Sequence, residues 1–375
     1  MKAKKKSPKI VISGYYGFDN CGDEAVLMAM IHCLKTLMPD VRIVALSANP
    51  KKTRELYGVK SVNRWNPFII ALEILTCNLF ISGGGSLLQD ITGAGSVKYY
   101  LGVIGIASFL RKKVMIYSHG IGPLRDQKSR AKVAKAFRRC QIISVRDVSS
   151  AKLLGEIGVK RDIHVVSDPV MALRVDDVDD DTHIIIEAEL QKLGLSMDKS
   201  AALKPLLLAI VRPWGDNRHV VPVAELLDAQ IKQGWDVLLI PAHFPSDSET
   251  MSQIEAAMEQ LPLCLDKCLS AHQFLALIAR ADKVFSMRLH GLICAMAVGT
   301  PMVALSYDPK VDAFMEQADM ESFCLSYDNL DSKSAIPLLD GLDELSARKL
   351  EGLQARRLEM HELAWETARM ATGLL

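Results

Sequence analysis

Residues 283–310 read KVFSMRLHGLICAMAVGTPMVALSYDPK, from Lys283 to Lys310. A short β-branched and aromatic run at 283–285 is followed by helical period over 289–298. Gly299-Thr300-Pro301 then stops the helix, and 302–305 is again a strand run. Strand, helix, strand with tight punctuation means two parallel strands joined by a crossover helix. Arg288 and His290 follow the first strand, and Lys310 follows the second within Tyr307-Asp308-Pro309-Lys310. Open α/β sheets build their ligand crevice just beyond the carboxyl ends of their strands, so these three side chains are candidates for one anion-handling site.

The same rhythm extends through both halves of the chain. Strand runs are expected at 9–13, 41–46, 79–82, 114–117, 141–145 and 164–166, and again at 206–211, 236–240, 283–285 and 302–305. Residues 174–200 open on a run of aspartates and show no strand signal, which marks an interdomain linker. The expected organisation is a Rossmann-like domain over 1–173, a linker region over 174–204, a second Rossmann-like domain over 205–338, and a helical segment over 339–375 that could pack on either domain. The fold class is therefore α/β: two doubly wound domains facing across a cleft, the GT-B-like architecture of a class of glycosyltransferases and their relatives.

Composition bounds the function. The 375 residues are 49% hydrophobic, enough for two apolar cores, and 45 basic against 44 acidic residues give a net charge of +1. No global positive field exists to drive nucleic-acid binding. The 8 cysteines lack paired C-x-x-C spacing and read as reduced thiols of a cytoplasmic protein. The apolar stretch 99–110 (YYLGVIGIASFL) is shorter than the ~20 residues of a membrane span and reads as a buried helix. With the basic start MKAKKK it leaves open a peripheral contact with the inner face of a membrane.

Several other strand ends carry candidate site residues. After the first strand comes GYYGFDNCGDE (14–24), where glycines permit close approach and the following helix offers its N-terminus. The spacing is not that of a dinucleotide fingerprint, and Tyr15, Tyr16 and Phe18 suit stacking on a sugar. Asp19, Asn20, Asp23 and Glu24 supply polar groups beside them; the competing reading is a tight strand-to-helix turn with an acidic first turn. SGGGS (82–86) brings Gly84 and Gly85 to the end of the third strand run. His119 and Arg146 follow two further strands. Arg146 suits a bound carboxylate or phosphate, or else an ion pair with Asp147 or Asp168. In the second half Arg212 and Trp214 follow a strand and suit stacking and phosphate contact. No metal site is expected: residues 176–181 lack the glycine and closing glutamate of a calcium loop, and the histidines lack zinc spacing.

YYGFDNCGDEA, ISGGGSLLQD, SHGIGPL, SVRDVSSAKLL, SDPV, RPW and MRLHGLICAMAVGTPMVALSYDPKVDAF together resemble the polysaccharide pyruvyl transferases, most closely the CsaB type. The resemblance runs from the first strand to about Phe314, with RLHG and YDPK its specific blocks. It implies transfer of pyruvate from phosphoenolpyruvate, as donor substrate and without cofactor or metal, to a β-N-acetylmannosamine residue of a lipid-linked cell-wall polymer precursor. A 4,6-linked ketal forms and phosphate leaves; such ketals mark the polymer that anchors surface-layer proteins. The family's donor-site arginine, histidine and lysine fall on Arg146, His290 and Lys310, with Arg288 beside the histidine. His290 would be the acid that protonates the methylene carbon, and Asp23, Glu24 and Asp168 are candidates for the base. The rival expectation is a GT-B glycosyltransferase using a nucleotide sugar. The acceptor's full structure and the oligomeric state are left open.

Overall fold

The computed structural model describes residues 7–90 and 95–375, so the basic start 1–6 lies outside the described residues. The chain divides into two compact units. One comprises the residues through Phe18, Asp23–Ala172 and Met360–Leu375; the other comprises Asp19–Gly22 and Leu173–Glu359.

The first unit contains β1 (Lys9–Ser13), α1 (Cys21–Leu37, its first two residues counted with the other unit), β2 (Arg42–Ser47), α2 (Pro50–Tyr57), β3 (Lys60–Asn63), α3 (Pro67–Leu75) and β4 (Leu79–Ser82). It continues with β5 (Gly85–Leu88), α4 (Gly95–Phe109), β6 (Lys113–Ile121), α5 (Gln127–Phe137), β7 (Ile142–Val145), α6 (Val148–Glu156) and β8 (Ile163–Val165). The strands are parallel in the order β3-β2-β1-β4-β6-β7-β8, with β5 also paired to β6. β1 and β4 are buried along their whole length, as strands covered on both faces must be. The order reverses between β1 and β4. Right-handed crossovers then put α1 and α2 on one face and α3, α4, α5 and α6 on the other. Val11, Phe80, Val114 and Ile116 pack with Ile70, Val103, Ile104 and Phe137 in that second layer.

The second unit contains α7 (Asp180–Lys192), β9 (Leu206–Ile210), α8 (Val220–Lys232), β10 (Asp236–Leu239), α9 (Ser248–Ala257), β11 (Leu263–Cys264) and α10 (Ala271–Arg280). It continues with β12 (Lys283–Ser286), α11 (Leu289–Val298), β13 (Met302–Ser306), α12 (Pro309–Gln317), β14 (Cys324–Ser326), α13 (Ser332–Gly341) and the start of α14 (Ala347–Gly373). Its sheet is parallel in the order β11-β10-β9-β12-β13-β14, reversing between β9 and β12.

Residues 174–204 are not a free linker. α7 buries Thr182, Ile186 and Leu190 and packs on α10. The aspartates that suggested a solvated spacer are helix-start chemistry: the Asp179 side chain accepts the Thr182 N–H at 2.7 Å, and Asp180 and Asp181 occupy the first turn. The helical run at the C-terminus is shared between units. From Met360 onward α14 belongs to the first unit, where Trp365 meets His32 edge-on and Lys113 donates to the Leu374 carbonyl at 2.5 Å.

Two buried titratable groups make the first unit sensitive to pH. Glu73 lies between Lys9 and Lys60, 2.5 Å from each. Burial pushes its carboxyl up, but the two lysine hydrogen bonds outweigh that and hold it below the usual range. His119 is fully buried on β6, with Nε2 3.1 Å from the Ser82 carbonyl, and burial lowers its pKa to about 4. Glu73→Ala leaves Lys9 buried beside no carboxylate. It should cost about 3 kcal/mol in denaturant unfolding, most of it recovered by the apolar pair Lys9→Met with Glu73→Leu. His119 binds its proton more weakly folded than unfolded, so its contribution is complete above about pH 6.5 and is lost as pH falls toward 4. His119→Gln should remove up to about 1.4 kcal/mol per pH unit of that slope, read as unfolding midpoint against pH.

Candidate active site

Four adjacent strands of the second unit deliver polar side chains to one edge. His243 follows β10, Arg212 and Trp214 follow β9, Arg288 and His290 follow β12, and Tyr307, Asp308 and Lys310 follow β13. Arg212 and Arg288 therefore flank the reversal of strand order between β9 and β12, the place where doubly wound sheets open a crevice.

Both arginines are held rigidly. Arg288 donates from Nε to Asp247 Oδ2 at 3.1 Å, and its Nη2 bonds the other oxygen of the same carboxylate. Asp247 is fully buried and also accepts the Ala242 and His243 N–H groups at 3.1 and 2.9 Å. Four donors on one carboxylate fix the guanidinium of Arg288 as a fork whose orientation does not depend on a ligand. Arg212 donates to the Tyr307 hydroxyl at 2.7 Å and lies over the Trp214 and Tyr307 rings, with Trp214 and Tyr307 centroids 4.5 Å apart. Among the described residues no side chain caps the first turn of α11, which starts just after Arg288, whereas Asp308 caps α12 by accepting the Lys310 N–H at 3.0 Å.

The first loop of the chain completes this edge. Asp19 sits at φ +58° and its carbonyl accepts the Phe244 N–H; Asn20 bridges His243 antiparallel, and Cys21 N–H donates to Ala242 O at 2.8 Å. Gly22 then passes so close to His290 that a Cβ there would overlap the imidazole. Gly291 is tight in the same way, against Ser286 Oγ and Ile210. NCG of the first loop and LHG of α11 are thus two halves of one packing contact. Arg288, His290, Lys310, Arg212, Trp214, Asp19 and Asn20 all belong to this unit.

The remaining candidates belong to the first unit, and several have structural roles instead. Tyr16 is 0% exposed and has no face for a sugar to stack on; its ring fills the space above Gly14 and Gly83, at the reversal between β1 and β4. Burial raises its pKa well above the ordinary value. Glu24 is buried and accepts the Gly17 N–H at 2.6 Å and the Tyr57 hydroxyl at 3.0 Å, which fixes the turn. His119 is enclosed in the core, which removes it from an acceptor surface. Gly84 and Gly85 are buried, packed near Val26, Pro169 and Asp23. Tyr15 and Phe18 are half-buried and stacked on each other at 4.1 Å. Arg146 makes the alternative contact: Nη1 donates to Asp168 Oδ2 at 2.8 Å and Nη2 to Ser86 Oγ at 2.9 Å, both charges buried. Asp168 also accepts the Val170 N–H at 3.1 Å.

Sequence reading missed Asp247 and Arg64. Asp247 stands before α9 and looks like any helix-starting acid; only its place beside Arg288 gives it a role. Arg64, buried, donates to Gly14 O at 2.7 Å and lies against Phe18, Trp65, Tyr99 and Tyr100. Among the described residues no group of three or more His, Cys, Asp and Glu is disposed to hold a metal ion.

Comparison with known proteins separates fold from family. The chain superposes on a glycosyltransferase from Rickettsia africae with TM-score 0.61 at 12% identity, covering 98% of both chains. It matches an Anabaena protein solved in complex with UDP-glucose with TM-score 0.60 at 15% identity, covering 98% and 96%. A Neisseria meningitidis UDP-GlcNAc 2-epimerase gives TM-score 0.60 at 11% identity, covering 98% and 99%. These likenesses establish the fold: two doubly wound α/β units of the GT-B type. In sequence, the amylovoran biosynthesis protein AmsJ of Erwinia amylovora is 21% identical over 410 residues, covering 95% of this chain and 96% of that one. The family model for polysaccharide pyruvyl transferase matches residues 20–309, the span from the Asn20 bridge to the cap of α12, and the chain belongs to that family.

Proposed function

We propose that this transferase moves pyruvate from phosphoenolpyruvate to a sugar of a lipid-linked cell-wall polymer precursor, with β-N-acetylmannosamine the acceptor residue of the CsaB type and a 4,6-ketal the product. The observation that carries this reading is the Arg288 guanidinium locked on Asp247 at the strand-order reversal, two residues before His290 and one strand from Lys310. Phosphoenolpyruvate carries a phosphate and a carboxylate, so its site needs several fixed cations, and the uncapped start of α11 adds N–H donors.

His290 donates the proton to the methylene carbon, which becomes the methyl group. A sugar hydroxyl adds to the neighbouring carbon, and its proton goes to a carboxylate. The tetrahedral adduct loses inorganic phosphate by cleavage of its C–O bond, and the second hydroxyl closes the ketal as its proton returns to His290. One phosphoenolpyruvate and two hydroxyls thereby give one ketal and one phosphate. Arg212 with Trp214 and Tyr307 forms a stacking surface suited to the acceptor sugar.

The deciding assay measures phosphate release from phosphoenolpyruvate with and without a β-N-acetylmannosaminyl acceptor bearing a lipid-like aglycone. Acceptor-dependent release with a product mass gain of pyruvate minus water is expected. Turnover of a nucleotide sugar with indifference to phosphoenolpyruvate would overturn the reading in favour of a glycosyltransferase. His290→Ala should lower kcat by roughly 10²- to 10⁴-fold while phosphoenolpyruvate still binds; near-native turnover removes it as the acid. Lys310→Ala should instead raise the KM for phosphoenolpyruvate by about tenfold or more. Unchanged saturation removes it from the donor site.

A further inference from the structure

The layer α3–α4–α5 on one face of the first unit's sheet presents a surface that the chemistry above leaves unused. α3 reads PFIIALEIL, and its one charged residue, Glu73, turns inward onto Lys9 and Lys60. Its outward stripe is Phe68, Leu72 and Leu75, spaced four and three residues apart, with Phe68 85% exposed and Trp65 exposed just before the helix. A helix that hides its charge and shows its hydrophobes has the reverse of the usual polarity for a protein surface. α3 packs on α4, which ends in Phe109, 83% exposed, and is followed by Arg111-Lys112-Lys113.

α4 in turn packs on α5, and between them runs a groove of about 630 Å³. Val97, Leu101 and Ile104 line one wall; Lys132, Lys135 and Arg139 line the other. Charge is concentrated in the chain segment that carries α4 and α5. Residues 95–141 hold eleven Lys and Arg and a single acidic residue, Asp126, an excess of ten in a chain whose total is +1; the rest of the chain therefore carries −9. Such separation turns one face toward an anionic plane over a Debye length.

We propose that the α3–α4–α5 face docks this protein on an anionic phospholipid bilayer. The α3 stripe and Phe109 enter the headgroup boundary, Trp65 sits at the interface, and the α5 lysines pair with lipid phosphates. Apolar stripe, interfacial aromatic and basic flank are the three parts of an in-plane membrane contact. Among the described residues no helix is long and apolar enough to cross a membrane, so this contact is peripheral. The inference stands on surface chemistry alone and does not depend on the donor.

The test is flotation of the full chain with vesicles of phosphatidylcholine, alone or with an equal part of phosphatidylglycerol. Binding to the mixed vesicles only, weakened by added salt, is expected. Phe68→Ser with Leu72→Ser, and separately Lys132→Glu with Lys135→Glu, should each reduce the bound fraction about tenfold or more with the circular dichroism spectrum retained. Failure to bind mixed vesicles, equal binding to both compositions, or binding untouched by both variants overturns the proposal. So does a sedimentation coefficient that falls in the Phe68→Ser, Leu72→Ser variant, which would assign the stripe to a second copy of this chain.

Discussion

Parallel strands joined by right-handed crossovers all end on the same edge of a sheet, and that constraint brings Arg212, Arg288, His290 and Lys310 to one edge of the second unit. Where the strand order reverses, the crossover helices leave in opposite directions and the edge opens. The two sheets use this opening differently. Between β1 and β4 the Tyr16 ring fills it, pressed against glycines at 14 and 83. Between β9 and β12 it is flanked by two arginines, each immobilised by its own partners. One unit closes its crevice with a side chain; the other equips it with charge.

The arginines illustrate what burial does to a cation. An unpaired guanidinium taken from water is costly, and each here has a compensating group: Asp247 for Arg288, Asp168 for Arg146, aromatic faces and a hydroxyl for Arg212. Asp247 is the more committed carboxylate, since two backbone N–H groups hold it as well as the arginine. Pre-ordering of this kind spares a ligand the entropy of organising the site. It also makes Asp247, which touches no ligand in the proposed reaction, a positioning residue for one that does.

Much of this was legible from residues alone. The run 283–310 gave β12, α11 and β13 within a residue, because a β-branched run, a helical period and a Gly-Thr-Pro stop are all local signals. The short outer strands β3, β5, β11 and β14 were not anticipated, since two to four residues paired on few neighbours need no hydrophobic pattern. The aspartates at 176–181 misled because capping and solvation favour the same side chain. Tyr16 misled for a related reason: glycines flanking an aromatic signal close approach, but not whether the approaching group is a ligand or that ring itself. Asp247 was invisible because its meaning lies in a residue 41 positions away.

The sharing of α14 has a consequence for how the protein is made. The first unit begins at the N-terminus, yet residues 360–375 belong to it, with Thr367 against Ser118, His361 against Met171 and Leu374 against Lys113. Domains emerging from a ribosome ordinarily close in order of synthesis. Here the sheet laid down first waits, lacking its closing helix, while nearly two hundred residues of the second unit are translated. The early-made half is thus the late-finished one, and until residues 360–375 are made it lacks the side chains that Met360, Ala364 and Ala368 bury against it.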